Sequence, residues 1–235
     1  MNSLVFLHIP KTAGTSLRAA LDPLLEDEEK LYLYGELNAE YLDSLKPEAA
    51  RARLIYGHIS FGIHGALGVP PHYGAMLRRP EDRILSLYHH FGRAPQSPHY
   101  KRIQAGMGLS ELIRSGAAVE MNNHMTRNFM VWPESGQTFV GERSCLDFAW
   151  ETIENHCCYI GLAERYEESV DRLCDILGLE RAADRPFLNR YEGEAISLSD
   201  EDRATIAEYN QLDIELYETI AKDWERFSNS LKPLH

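Results

Sequence analysis

The run Leu4-Val5-Phe6-Leu7-His8-Ile9 and the loop that follows it, Pro10-Lys11-Thr12-Ala13-Gly14-Thr15-Ser16-Leu17, decide the reading of the whole chain. The first part reads as a short buried strand. The second brings together a cation, a glycine, hydroxyls and the start of a helix, a combination that suits an anion. Backbone N–H groups at a helix N-terminus lack intrahelical partners, and the helix dipole adds partial positive charge beside them. Lys11 contributes a full charge, and Gly14 admits close approach of the backbone to a ligand. The pattern G-x-x-x-x-G-K-[ST] is absent, because the lysine here precedes the glycine. Taken alone, the segment also fits ordinary strand–turn–helix chemistry.

Further compact apolar runs, bounded by turn residues, read as strands at Leu4–His8, Arg53–Gly57, Tyr73–Leu77 and Cys158–Leu162. Helical stretches lie between and after them at Thr15–Leu25, Pro80–Phe91, Leu109–Ser115, Leu146–His156 and Arg165–Leu177. Strands alternating with helices predict an α/β fold, three layers with a central, mostly parallel sheet flanked by helices. Ligands of such sheets sit beyond the carboxyl ends of the strands. Three strand ends run straight into polar loops, at Pro10–Ser16, His58–Ser60 and Arg78–Arg79, so those loops are expected to converge. Near the C-terminus, Ser199 and Asp202 form a capping-box pattern. Ile206, Tyr209, Leu212, Leu216, Tyr217, Ile220 and Trp224 then make one apolar stripe at helical spacing, read as core packing on a single helix. Asp213 lies near that stripe and is expected to tie a neighbouring loop if buried. Gly92–Arg102 and Glu180–Ser197 are irregular; either reads as a surface loop or as the border of a site.

Composition narrows the class. A chain of 235 residues, 44% hydrophobic, can bury a substantial core and is read as a single domain over 1–235. No apolar run approaches the ~20 residues that span a bilayer, and no signal-like segment precedes the first strand, so a cytoplasmic protein is expected. The formal net charge of −12 disfavours a nucleic-acid partner. Cys145, Cys157, Cys158 and Cys174 offer no C-x-x-C pair and read as small buried apolar residues. His58, His64 and His72 lack a metal-ligand spacing, and no metal is expected. His89 and His90 are neighbours on one helix, so at most one faces any cleft.

A second constellation is Met76-Leu77-Arg78-Arg79-Pro80-Glu81-Asp82-Arg83-Ile84-Leu85-Ser86-Leu87-Tyr88. Pro80 suits a first helical turn. Arg78 then lies at a strand end with Ser86 about two turns along the helix. Arg83 and Ser86 share a helix face, from which an arginine fork and a hydroxyl can converge on one phosphate.

These two segments together resemble the sulfotransferases. Phe6 through Ser16 is similar to their 5′-phosphosulfate-binding loop, nearest to the branch of heparan sulfate and uronyl 2-O-sulfotransferases with its bacterial relatives. Leu77 through Ser86 is similar to their 3′-phosphate motif R-D-P-x-x-R-x-x-S, with Arg79 where the family commonly has Asp. A looser likeness covers Tyr159–Leu162, the helix after it, and Asn210, Asp213 and Leu216-Tyr217. The resemblance implies a P-loop-like fold and 3′-phosphoadenosine-5′-phosphosulfate (PAPS) as sulfuryl donor, leaving PAP. It places Lys11, Thr12, Ala13, Gly14, Thr15 and Ser16 at the donor's 5′ end and Arg78 and Ser86 at its 3′-phosphate. Tyr56-Gly57-His58-Ile59-Ser60-Phe61 is similar to the G-H-x-S-[FY] segment that carries the family's catalytic base, which makes His58 the base and Lys11 its electrostatic partner in in-line transfer to a hydroxyl.

The acceptor is open: a carbohydrate, lipid or small metabolite, with the acidic balance favouring a neutral one. Arg93, Lys101 and Arg102 border the site or serve solubility. Asn122, Asn123, His124 and Arg127 are candidates for the acceptor side, and Arg190 for the nucleotide. Two rival readings stand beside this one: an ATP-dependent kinase or NTPase, which needs a metal-binding acid at a strand end, and a nucleotide-binding module without turnover. Oligomeric state is not legible.

Overall fold

In the computed structural model, which describes residues 3–131, 143–181 and 198–234, side chains of the central strands alternate between the two faces of a sheet, and both faces are covered. Along β1 (Leu4–Leu7), Leu4 and Phe6 enter one apolar cluster while Val5 and Leu7 enter another. A strand buried on both faces needs no polar alternation, which is why this segment reads as an unbroken apolar run. The remaining strands are β2 (Lys30–Leu33), β3 (Leu54–Gly57), β4 (Tyr73–Leu77) and β5 (Cys157–Leu162). They form one sheet of order β2-β3-β1-β4-β5, parallel throughout.

One layer packs helices Gly14–Leu21 and Tyr166–Leu177 against Leu4, Phe6, Tyr56, Met76 and Tyr159. The opposite layer packs Arg143–His156 and Gln211–Ala221 against Val5, Leu7, Ile55, Ala75 and Ile160. A third cluster joins Ile84, Leu87 and Phe91 of helix Pro80–Arg93 to Leu112, Ile113, Met121 and Ile206. The α/β three-layer expectation holds. All four cysteines are buried and none is in a disulfide. No helix among the described residues is long and apolar enough to cross a membrane.

The sequence reading misses β2. This edge strand is only half covered until Leu33 and begins at Lys30, directly after three acidic residues, so its alternation is hidden. An exposed edge tolerates such charge.

The C-terminal stripe is not one helix but three, Asp200–Tyr209, Gln211–Ala221 and Trp224–Ser230. The first begins at the expected box, with Ser199 and Asp202 exchanging hydrogen bonds. It stops at Asn210, whose φ of −128° and ψ of 30° leave the helical region. The break is organised by reciprocal capping. Asn123 Oδ1 accepts from the N–H groups of Leu212 and Asp213 at 2.9 and 3.2 Å. Asp213 in turn accepts from Met125 N, Thr126 N and Thr126 Oγ1 at 3.0, 2.8 and 2.8 Å, capping helix His124–Asn128. Each helix start thus supplies the acceptor that the other lacks. Asp213 also faces the Arg83 guanidinium at 3.6 Å, both side chains fully buried.

These contacts revise two expectations. Arg83 does not share a phosphate pocket with Ser86: it points inward, donating to the Glu120 carbonyl at 2.9 Å. Asn123 and Arg127 do not line an acceptor cleft either. Asn123 is a cap, and Arg127, 1% exposed, donates through Nε to the Asn122 carbonyl at 2.9 Å. Asn122 is buried beside them.

Removing one member of a buried ion pair typically costs about 3–5 kcal/mol, because the partner charge is left uncompensated. Asp213→Ala is therefore expected to lower unfolding stability by about that amount in urea titration. A change below about 1 kcal/mol would show that the pair and its caps are not a structural tie.

Candidate active site

Parallel pairing brings the carboxyl ends of β1, β3 and β4 side by side. Leu7 is in register with Gly57 on one side and Ala75 on the other. His8 N donates to the Gly57 carbonyl at 2.8 Å, and His58 N donates to the Leu33 carbonyl at 3.2 Å. Gly57 is needed for this approach: a Cβ there would stand 2.0 Å from the Leu33 carbonyl oxygen. His8 and His58 consequently leave adjacent strands as neighbours, with ring centroids 4.5 Å apart.

His58 Nδ1 lies 2.7 Å from the His8 carbonyl oxygen. A carbonyl only accepts, so Nδ1 carries the proton and Nε2 keeps its lone pair. His58 as a residue is exposed, while its Nδ1 edge and stacked face are covered. Desolvation of that side lowers its pKa below the usual 6.5, opposed by the His8 carbonyl and by Glu120. A neutral imidazole with a fixed tautomer and an open Nε2 is the form a proton acceptor requires.

The loop after β1 is bent by two non-glycine residues in the left-handed region, Lys11 at φ 70° and Ala13 at φ 67°. Such positions cost about 1–3 kcal/mol each and persist where the surroundings impose them. Here they bend the chain into the start of helix Gly14–Leu21, whose first N–H groups have no intrahelical partner and no side-chain cap at Ala13. The first turn of that helix carries no acidic residue to compete. Thr12 is buried, and its hydroxyl donates to the Ile9 carbonyl at 2.9 Å, so its side chain braces the loop. Thr15 is exposed and Ser16 buried.

Gly14 makes room within the fold: a Cβ there would stand 2.1 Å from His8 Cδ2 and 2.7 Å from the Tyr56 hydroxyl. Tyr56 donates that hydroxyl to the Gly14 carbonyl at 2.7 Å and fixes the helix start over β3.

From β4, Arg78 Nη1 donates to the Lys11 carbonyl at 3.2 Å. The two anion motifs are thereby one surface. Lys11 is half-buried, and desolvation together with the charges of Arg78 and Arg93 lowers its pKa. Lys11 and Arg93 likewise press on His90, after its own desolvation. Among the described residues no carboxylate pairs with Lys11 or Arg78. A chain of net charge −12 thus holds a concentrated patch of positive charge at one sheet edge. Ser86 is half-buried on helix Pro80–Arg93. Arg79, standing where an Asp was expected, has an exposed side chain 3.7 Å from Asp82, while its backbone N–H donates to Glu164 at 2.8 Å.

His124, half-buried, is the member of its segment that remains electrostatically close to His58; desolvation and the nearby Arg83, Arg127 and His58 hold it well below the ordinary histidine value. Arg190 and most of Glu180–Ser197 lie outside the described residues. Sequence reasoning overlooked His8, Tyr34 and Tyr56. Their signal was present only as strand register, which places Phe6-Leu7-His8 beside Tyr56-Gly57-His58 and sets Tyr34 just past Leu33 on the other side of β3. Glu164, at the end of β5, is the acid nearest to the kinase-type expectation. It is occupied by Arg79 N and also hydrogen-bonds Tyr217. No group of three or more His, Cys, Asp or Glu among the described residues is arranged to hold a metal.

Comparison with known proteins bears on the fold and the family. Mouse sulfotransferase SULT7A1, solved in complex with PAP, superposes with a TM-score of 0.53 over 98% of this chain and 89% of that one. At 14% identity the likeness concerns the fold. No curated protein sequence matches. The model of the sulfotransferase family matches residues 1–226. The chain therefore belongs to the sulfotransferase family, the enzymes that take PAPS as their sulfuryl donor.

Proposed function

We propose that this enzyme transfers a sulfuryl group from PAPS to a hydroxyl of an uncharged carbohydrate, lipid or small metabolite, with His58 as general base. The observation that carries the donor side is the hydrogen bond from Arg78 to the Lys11 carbonyl, which joins two cationic pockets at one sheet edge. The donor set fits a nucleotide with phosphates at both ends. Lys11 and the N–H groups from Ala13 to Ser16 hold the 5′ side, with Thr12 bracing the loop; Arg78 and Ser86 hold the 3′ side. Burial first, and then the neighbouring charge of Arg78, lowers the Lys11 pKa, and an anion between Lys11 and Arg78 would relieve that repulsion. PAPS, when bound, supplies the activated sulfuryl group and a phosphate leaving group.

The chain's own contribution is positioning and electrostatics. His58 Nε2 takes the proton of the acceptor hydroxyl while Nδ1–H stays on the His8 carbonyl. Lys11 and the helix N-terminus counter the negative charge that develops on the leaving side. Among the described residues the acid at a strand end, Glu164, is engaged by Arg79 N and Tyr217, which disfavours the kinase reading. Glu120 acts electrostatically on His58, and the partly exposed Tyr34 ring meets it edge-on. A carboxylate repels acidic acceptors, and an aromatic face suits a sugar or apolar ring, so the acceptor is uncharged. The Gly57-His58-Ile59-Ser60-Phe61 segment supports placing the chain with the 2-O-sulfotransferase branch.

Labelled PAPS screened against hydroxylated acceptors identifies the substrate. With that acceptor, His58→Ala is expected to lower single-turnover transfer by about 10²–10⁴-fold with PAP affinity retained. Lys11→Ala is expected to weaken both. Wild-type rates in both variants would contradict the assigned roles. Because the base acts unprotonated and its pKa lies below 6.5, kcat/KM should stay level above neutrality and fall as pH drops through that lower value. Calorimetry should show binding of PAP over ATP–magnesium; the reverse preference would favour a kinase.

A further inference from the structure

His58 sits in an ordered aromatic setting that the reaction just described does not require. Its ring stacks on His8 with the planes 22° from parallel. The ring of Tyr34, just beyond β2, meets His58 at 82° with centroids 5.0 Å apart. The Tyr34 hydroxyl lies 2.9 Å from His8 Nδ1, and Arg18 hydrogen-bonds that same hydroxyl. A guanidinium only donates. With Arg18 donating to the Tyr34 oxygen, the hydroxyl proton is available to His8 Nδ1, the arrangement in which His8 is the Nε2–H tautomer. The far edge of the His8 ring occupies the space a Gly14 Cβ would need. Arg18 is itself fixed, 3.4 Å from Asp22 and with its guanidinium over the Tyr32 ring at 4.6 Å.

We propose that Arg18, Tyr34 and His8 form a positioning relay for the base: they clamp a flat, neutral imidazole beneath His58, so that its Nδ1–H stays on the His8 carbonyl and Nε2 stays turned to the acceptor. The proposal rests on reading His58 as the base. The His8 ring covers one face of His58 and keeps water from it, part of the burial that holds the His58 pKa below 6.5. Burial, with His58, Arg18 and Lys11 acting in the same direction, lowers the His8 pKa to about 3. The other titratable groups facing the pair are Tyr56, packed on His8, with Glu120 and His124 beside His58. None of these touches the bond from Tyr34 to His8.

Imidazole NMR on the full-length protein tests the relay without any acceptor. In wild type, His58 should show the Nδ1–H tautomer and His8 the Nε2–H tautomer, with the His58 midpoint below the ordinary value. Tyr34→Phe keeps the ring and removes the hydroxyl. It should mix the His8 tautomers and raise the His58 midpoint toward about 6.5. His8→Ala should raise it further and mix the His58 tautomers, with PAP binding retained in both variants. His8→Asn, which keeps an acceptor near Nδ1, should restore part of the shift. A His58 tautomer and midpoint unchanged in Tyr34→Phe and His8→Ala would overturn the relay. Should His8→Ala fail to fold, Tyr34→Phe decides, since Tyr34 is 36% exposed and loses one oxygen. The base itself is tested by turnover of His58→Ala, so either assignment can fail while the other stands.

Discussion

Parallel pairing of β1 with both β3 and β4 is the constraint on which the site depends. Three strands running the same way end at the same edge, and the residue after each end enters one shared space. The Gly57 carbonyl holds His8, the His8 carbonyl holds His58, and the Lys11 carbonyl receives Arg78. These are backbone oxygens, so the arrangement is written into the sheet and its first turns rather than left to mobile side chains. A one-residue slip of β3 would exchange the faces of Ile55 and Tyr56 and carry His58 away from β1.

The layer behind the site is held by a different device. Asn123 and Asp213 cap each other's helices, and Asp213 faces Arg83 at the centre of the crossing. This ties helix Pro80–Arg93, which carries Ser86, to the C-terminal helices and to the segment bearing His124. The arginine that the phosphate motif shares with Ser86 in sequence thus has a structural duty here, leaving Arg78 as the motif's outward cation.

The legible part of the fold was the part with local signals. Apolar runs bounded by turn residues gave four strands within a residue of their ends, and the Ser199 box marked a helix start. β2 was hidden because an edge strand buries little and Lys30 follows acidic neighbours. The break at Asn210 was hidden because an apolar stripe keeps its spacing across a cap supplied by Asn123 from elsewhere in the chain, and the break before Trp224, capped locally by Asp223, because that stripe runs on through it. In the site, Lys11, His58 and Arg78 were legible from charge and motif order. His8 and Tyr34 were not, since their importance comes from strand register and from a glycine that spares a ring.

The central claim is that the Lys11 loop and the Arg78–Ser86 corner grip opposite ends of one nucleotide. A crystal structure of the protein with PAP tests it most directly. The account predicts the 5′-phosphate on Lys11 and the N–H groups opening helix Gly14–Leu21, with the 3′-phosphate on Arg78 and Ser86. A nucleotide bound elsewhere, or held at only one of the two pockets, would contradict it.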